Sequence, residues 1–266
     1  MKFLEYILNG FSRVLSVDTE YLSDSTGTIP QRVLCLVFKD IKTNEIFRYW
    51  VYDQKQIPHF FDYENVLLIS FNAVAEHGSF LNLLHGQPKN MFDCFVENKC
   101  LYGPFLAKNK TGLVDTCSRY NIPSISKEQK DRELDLILRR NEYEGKPFDY
   151  SLEEQQRIMA YCKSDVEETA ELFIAQVNDI EKKNNLKTDE DFNKKLWEIC
   201  FRGYSQGSIA KIERNGIPGD KKLINDFREN WHFVKDTIIQ RHNKKLNAYT
   251  EDNKLNKKLF NKLVLK

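Results

Sequence analysis

Arg13-Val14-Leu15-Ser16-Val17-Asp18-Thr19-Glu20 is a short β-branched run that ends in two acids. In an extended strand alternate side chains share a face. Val14, Ser16, Asp18 and Glu20 therefore line one side, and Leu15 and Val17 the other. Two carboxylates at the end of a buried strand repel one another unless a cation sits between them. Hard divalent ions such as Mg2+ take oxygen ligands of this kind. An Asp-x-Glu pair also arises by chance in a chain that is 30% charged. Its meaning rests on what else the chain brings to it.

Two strand-like runs follow, Arg32 to Lys39 and Ile46 to Tyr52, separated by the polar turn Asp40 to Glu45. The pattern predicts a three-strand meander. A fourth apolar run, Val66 to Ser70, precedes a helical stretch near Ala73 to Leu84. Asn72 stands where a helix cap is expected, and Glu76 where an acid favours the helix dipole. From there to about residue 177 the pattern is mostly helical, over Gly112 to Tyr120, Lys130 to Arg140 and Ser151 to Gln176. Ser151 ahead of Glu153 and Glu154 is a capping signal. In the last of these helices Tyr161 and Asp165 are four residues apart and share a face. That presents a phenol and a carboxylate together. The bland reading is a half-buried tyrosine and a surface acid.

Residues 181–185 read as a polar link. Helical patterns near 189–215 and 220–247 follow, broken at Gly216 to Gly219. The tail, 251–266, carries Leu255, Leu259, Phe260 and Leu263 on one stripe. The division expected is an α/β domain over 1–180 and a helical, basic region over 181–266.

A length of 266 residues suits one sizeable domain plus a smaller one. With 41% hydrophobic and 12% aromatic residues, a disordered chain is excluded. The net charge of +1 hides an asymmetry: 20 Lys+Arg against 27 Asp+Glu in 1–180, but 20 against 12 in 181–266. A basic rear half suits phosphate contacts, and also an ordinary solvated surface. The six cysteines are scattered with no C-x-x-C pair, which argues against a structural zinc site. The histidines His59, His77, His85, His232 and His242 show no ligand spacing. The N-terminus lacks a secretory pattern, and no run approaches the ~18–20 apolar residues of a membrane span. The expectation is a reduced, cytoplasmic setting without membrane contact.

Three motifs stand in a fixed order: Asp18-x-Glu20 on a strand, Asn72 to Glu76 from strand into helix, and Tyr161-x-x-x-Asp165 on a helix. Together they resemble the exonuclease motifs of the DEDD superfamily, in its tyrosine-bearing subclass. That group includes the proofreading domain of family A (bacterial polymerase I-like) DNA polymerases. Phe92 to Glu97 is similar to the segment after the second motif in phage-type members. Phe201 to Tyr204 and Ile212 to Pro218 are similar to the link into the polymerase domain. The resemblance covers roughly residues 12–220. Two departures matter. Glu76 stands where the second motif usually ends in Asp, and the chain stops where a polymerase domain would begin.

The resemblance implies an α/β, ribonuclease H-like fold: a mixed sheet with antiparallel first three strands, flanking helices and a helical C-terminal extension. It implies a two-metal 3′–5′ exonuclease, using Mg2+ or Mn2+, that releases nucleoside monophosphates from single-stranded or unpaired DNA 3′ ends in proofreading. The two ions would lie about 3.5–4 Å apart. Asp18 would bridge them, Glu20 and Asp165 would serve the water-activating ion, and Glu76 the other. Tyr161 would orient the nucleophile. An ordinary phenol pKa near ~10 suits positioning better than proton abstraction. Thr19, Tyr21 and Asn72 are implied as substrate contacts, with Tyr21, Phe71 and Phe80 as stacking candidates. A polymerase subunit is the implied protein partner, and a bacterial or phage-infected cytoplasm the setting. The alternatives are a non-polymerising subunit of a split polymerase, an RNA-trimming exonuclease, and an inactive fold suggested by Glu76.

Overall fold

The computed structural model describes residues 2–23, 30–52, 65–83, 86–103, 111–138, 150–216, 219–250 and 254–264. His59, Leu84, His85, Arg139, Arg140, Ile217, Pro218, residues 251–253 and the side chain of Leu263 lie outside what is described. The strands are β1 (Arg13–Ser23), β2 (Pro30–Asp40), β3 (Ile46–Trp50), β4 (Val66–Ser70) and β5 (Met91–Asp93). They form one sheet of order β3-β2-β1-β4-β5, with β1 at its centre. The β1–β2 and β2–β3 pairs are antiparallel, and β1–β4 and β4–β5 are parallel. The expected mixed sheet is present, with its antiparallel first three strands. All five residues of β4 are buried, as an interior parallel strand covered on both faces requires.

The pairing of β1 with β2 slips by one residue beside Glu20, which faces Cys35 while Tyr21 faces Val33. Such a bulge bends a strand and re-aims its side chains. It falls where β1 delivers its acids.

Helices cover both faces. They are α1 (Lys2–Gly10), α2 (Ala73–Asn82), α3 (Cys94–Tyr102), α4 (Leu113–Arg119), α5 (Lys127–Leu138), α6 (Leu152–Lys183) and α7 (Asp189–Asn215). One core layer joins Val14, Leu67, Ile69 and Phe92 to Phe3 of α1 and to Leu172 and Phe173 of α6. The other joins Leu15, Val17, Leu68 and Met91 to Ala73 and Phe80 of α2. The alternation along β1 is thus the alternation of the two layers. Phe80 is 1% exposed in the second layer. It belongs to the core and does not reach a substrate, which corrects its reading as a stacking residue.

α6 begins with the expected capping box, in which Ser151 and Glu154 satisfy each other's backbone N–H groups. It continues through residues read as a polar link. Glu181 accepts from the backbone N–H groups of Lys2 and Phe3 at 3.3 and 3.2 Å, so this turn is tied to the start of α1. The chain then turns at Asn184 and Asn185.

α7 packs on α2 and β5 at very short range. A Cβ at Gly203 would stand 2.0 Å from the carbonyl oxygen of Met91. That neighbour is backbone and cannot rotate away. Gly203→Ala is expected to destabilise the protein by about 1–3 kcal/mol or more, read as a lowered urea midpoint with an unchanged slope. At Gly207 the obstacle is the side-chain end of Gln87, so Gly207→Ala should cost less.

The chain forms two compact units, Met1–Asn215 and Gly216–Lys266. The division drawn from sequence at residue 180 falls inside α6, and α7 lies in the first unit. The second unit is helical, with α8 (Lys221–Glu229), α9 (Trp231–Leu246) and α10 (Lys257–Val264). Among the described residues no helix is long and apolar enough to cross a membrane.

Candidate active site

A cleft of about 640 Å3 lies along the second half of β1 and past the end of β4. Asp18, Thr19, Glu20, Tyr21, Asn72, Glu76, Tyr161 and Asp165 all line it, and so do Phe71, Phe95 and Lys130. All three sequence motifs therefore meet in one place. β1 supplies Asp18 and Glu20 from one face, the first turn of α2 supplies Glu76, and the middle of α6 supplies Tyr161 and Asp165.

Local bonds fix this meeting. Ser16 Oγ donates to the Val166 carbonyl at 2.9 Å, and Cys162 Sγ donates to the Asp18 carbonyl at 3.3 Å. These two bonds hold α6 to β1, and on the helix they flank Asp165. α2 is held by Asp93, the last residue of β5. Its carboxylate accepts from the N–H groups of Asn72 and Ala73 at 3.1 and 3.0 Å, and from Phe95 and Val96 at 2.9 and 3.3 Å. One side chain thus caps two helices. Asp93→Ala should lower stability by roughly 2–4 kcal/mol, about one cap's worth for each helix. It should also weaken divalent-metal binding, because α2 carries Glu76. Thermal denaturation with and without Mg2+ reads both effects.

Asn72 does not cap α2 with its side chain; it takes a left-handed conformation, φ 71°, and is exposed at the cleft. The cap came from residue 93 instead, which corrects the local reading. Thr19 points to the other face of the sheet, where its hydroxyl meets Ser79 Oγ at 2.9 Å. Its backbone lies beside the Asp18 carboxylate and favours the charged form of that group. Phe71 packs edge-on against Phe95 at 5.7 Å on the cleft wall. His77, beside Glu76, is buried, and its Nε2 bonds the Gly203 carbonyl at 3.1 Å. That is a packing role.

Three carboxylate oxygens in the cleft are buried without a hydrogen-bond partner among the described residues: Asp18 Oδ2, Glu76 Oε2 and Asp165 Oδ1. Each such acceptor costs about 1–3 kcal/mol, and more when charged. Burial, with Asp165 nearby, pushes the Asp18 carboxyl up to about 7. Burial, with Asp18 nearby, drives Glu20 and Glu76 well above the usual carboxylate range. The Tyr161 phenol is raised by burial and then by Asp165, so it stays protonated and can donate. This donor set, all hard oxygens and short of cations, fits divalent metal ions.

One cation is already in the cleft. Lys130 of α5 places Nζ 3.0 Å from Asp165 Oδ2 and 5.6 Å from the centre of the Tyr161 ring. Burial works against its charge, but Asp165, Asp18 and Glu20 together outweigh burial and keep it protonated. Nothing in the charged run Lys127 to Asp135 distinguishes Lys130 from its neighbours. Only the packing of α5 on α6 does.

The fold is similar to that of a solved structure described as the apo form of the nuclease. The likeness has a TM-score of 0.52 and 14% identity, over 80% of this chain and 91% of that one. The chain has a ribonuclease H-like fold. The Trypanosoma brucei RNase D is matched with a TM-score of 0.44 and 13% identity, over 66% of this chain and 61% of that one. No family model matches the chain, and no curated protein matches it.

Proposed function

We propose that this chain is a divalent-metal-dependent 3′–5′ exonuclease acting on single-stranded or unpaired DNA ends. The observation that carries the reading is the convergence of Asp18, Glu20, Glu76 and Asp165 on one cleft, three of them with buried, partnerless oxygens. A ribonuclease H-like fold similar to that of a solved nuclease supports it.

Asp18, Glu20, Glu76 and Asp165 would hold the ions, Mg2+ or Mn2+, which would supply an activated water and neutralise charge on the phosphate. Tyr161 keeps its proton and orients the attacking water. Lys130, whose Nζ stands 3.0 Å from Asp165 Oδ2, would offer a positive charge to the scissile phosphate. The 3′-terminal nucleotides lie along Tyr21, Asn72 and the Phe71–Phe95 wall. Tyr21 stays protonated, since burial and the adjacent Glu76 raise its phenol.

The test is digestion of matched 5′-labelled DNA and RNA oligonucleotides with unpaired 3′ ends, with Mg2+ or Mn2+. A ladder that shortens from the 3′ end of DNA, and vanishes with EDTA, is expected. Preference for RNA would move the reading to RNA trimming, and no shortening of either would sink it. Lys130→Ala should lower kcat at saturating Mg2+ on the order of 10–100-fold. It should also reduce the Mg2+ concentration needed for half-saturation, because a competing cation is gone. Loss of activity without that second change would assign Lys130 to packing alone.

The second reading is a subunit that docks onto a polymerase. α8 favours it: none of its residues is buried, and Leu223, Ile224 and Phe227 are exposed along it. Deleting the second unit separates the two, since the nuclease reading alone requires no partner.

A further inference from the structure

We propose that the metal site admits a sulfur ligand: Cys162 joins Asp18 and Glu20 in holding a thiophilic divalent ion of the Zn2+ and Co2+ class. The inference rests on the metal-site reading above and extends it to a donor of different chemistry. One donor atom from each of Asp18, Glu20 and Cys162 lies within 4.8 Å of the other two. A single ion fits among three atoms so spaced, with metal–sulfur and metal–oxygen bonds of roughly 2.0–2.3 Å. Cys162 is fully buried on the side of α6 that faces β1, three residues before Asp165 and hence on the same face of the helix.

The site calls for a ligand on independent grounds. Asp165 is 7% exposed, with Oδ1 buried and partnerless, and Asp18 Oδ2 is likewise partnerless. The sulfur is not loose packing either. Cys162 Sγ donates to the Asp18 carbonyl at 3.3 Å.

Ligand softness then sorts the metals. Mg2+ takes oxygen and leaves Cys162 as a thiol that steadies Asp18. Zn2+ and Co2+ accept sulfur as well as oxygen. When such an ion binds, the S–H bond breaks, the metal–sulfur bond forms, and the proton leaves to solvent. Cys35, opposite Glu20 on β2 and beside Cys162, is not part of the three-atom cluster and serves as a control.

The test is Co2+ titration of the full-length chain without Mg2+, followed by absorption. Visible d–d bands report binding, and a near-ultraviolet thiolate-to-cobalt charge-transfer band reports sulfur ligation. Both bands are expected in the wild type and in Cys35→Ala. In Cys162→Ala and Cys162→Ser the d–d bands should remain, the charge-transfer band should vanish, and Co2+ affinity should drop by roughly tenfold or more. Circular dichroism identifies any variant that fails to fold, and having two variants keeps the result readable. Binding without a charge-transfer band, a band that survives both Cys162 changes, or no Co2+ uptake each overturns the proposal. Mg2+-dependent DNA shortening is measured on the same wild-type preparation. Shortening without the band removes the sulfur ligand and leaves the nuclease reading in place. The band without shortening does the reverse.

Discussion

Asp18→Ala will slow release of 3′-terminal nucleotides by roughly 10³-fold or more, worth about 4 kcal/mol at about 1.4 kcal/mol per tenfold. The same change will raise the melting temperature of the metal-free protein. Both effects have one cause. The Asp18 charge raises the Glu20 and Glu76 carboxyls and the Tyr161 and Tyr21 phenols. Removing Asp18 takes away a metal ligand and also a like charge that the fold must tolerate. Sites of this kind trade stability for function. A labelled-primer assay and a thermal melt on the same preparation check the pair of outcomes. An inactive variant with an unchanged or lowered melting temperature would mean that Asp18 is not under electrostatic strain.

Stability without metal will fall as pH rises from about 5 to about 8, and added Mg2+ will restore it most at the alkaline end. The sign follows from the protons. The folded Asp18 carboxyl titrates at about 7, above its ordinary value of 3.8, so the folded state binds that proton more tightly than the unfolded chain does. Its contribution is complete below about pH 4 and is lost as pH passes through about 7. Glu20 and Glu76, also raised, act in the same direction and extend the loss to higher pH. A shift of this size on one carboxyl is worth a few kcal/mol, on the order of 1.4 per pH unit. Melting curves from acid to mildly alkaline pH, with and without Mg2+, provide the measurement. A melting temperature independent of pH without metal would show that the cleft carboxylates are solvated. Asp18→Asn should flatten the curve.

Much of this arrangement is legible in the sequence. Alternation placed Asp18 and Glu20 on one face because a strand has no other way to arrange them, and helical spacing did the same for Tyr161 and Asp165. The three antiparallel strands followed from β-branched runs broken by a polar turn. What escaped was set by contacts distant in the chain. β5 has three residues, too few for alternation, and becomes a strand only because β4 lies beside it. α1 carried a short signal in Phe3, Leu4 and Ile7, and needed Phe192 to complete its packing, with ring centres 5.5 Å apart. Asn72 looked like a cap by residue type, yet Asp93 caps that helix from 21 residues away. Lys130 and Cys162 are ordinary residues in sequence and reach the cleft only through the packing of α5 and α6.

The close seating of α7 on β5 sets a schedule for synthesis. Every strand of the sheet has been made once Asp93 leaves the ribosome. Gly203, which presses against the Met91 carbonyl, comes 110 residues later. At about 5–20 residues per second that delay is roughly 5–20 s. During this time the outer edge of β5 lacks α7, and a bare edge is a template for pairing with other nascent chains. Yield in cells should therefore respond more to translation speed between residues 94 and 203, and to chaperone supply, than the stability of the finished protein would suggest.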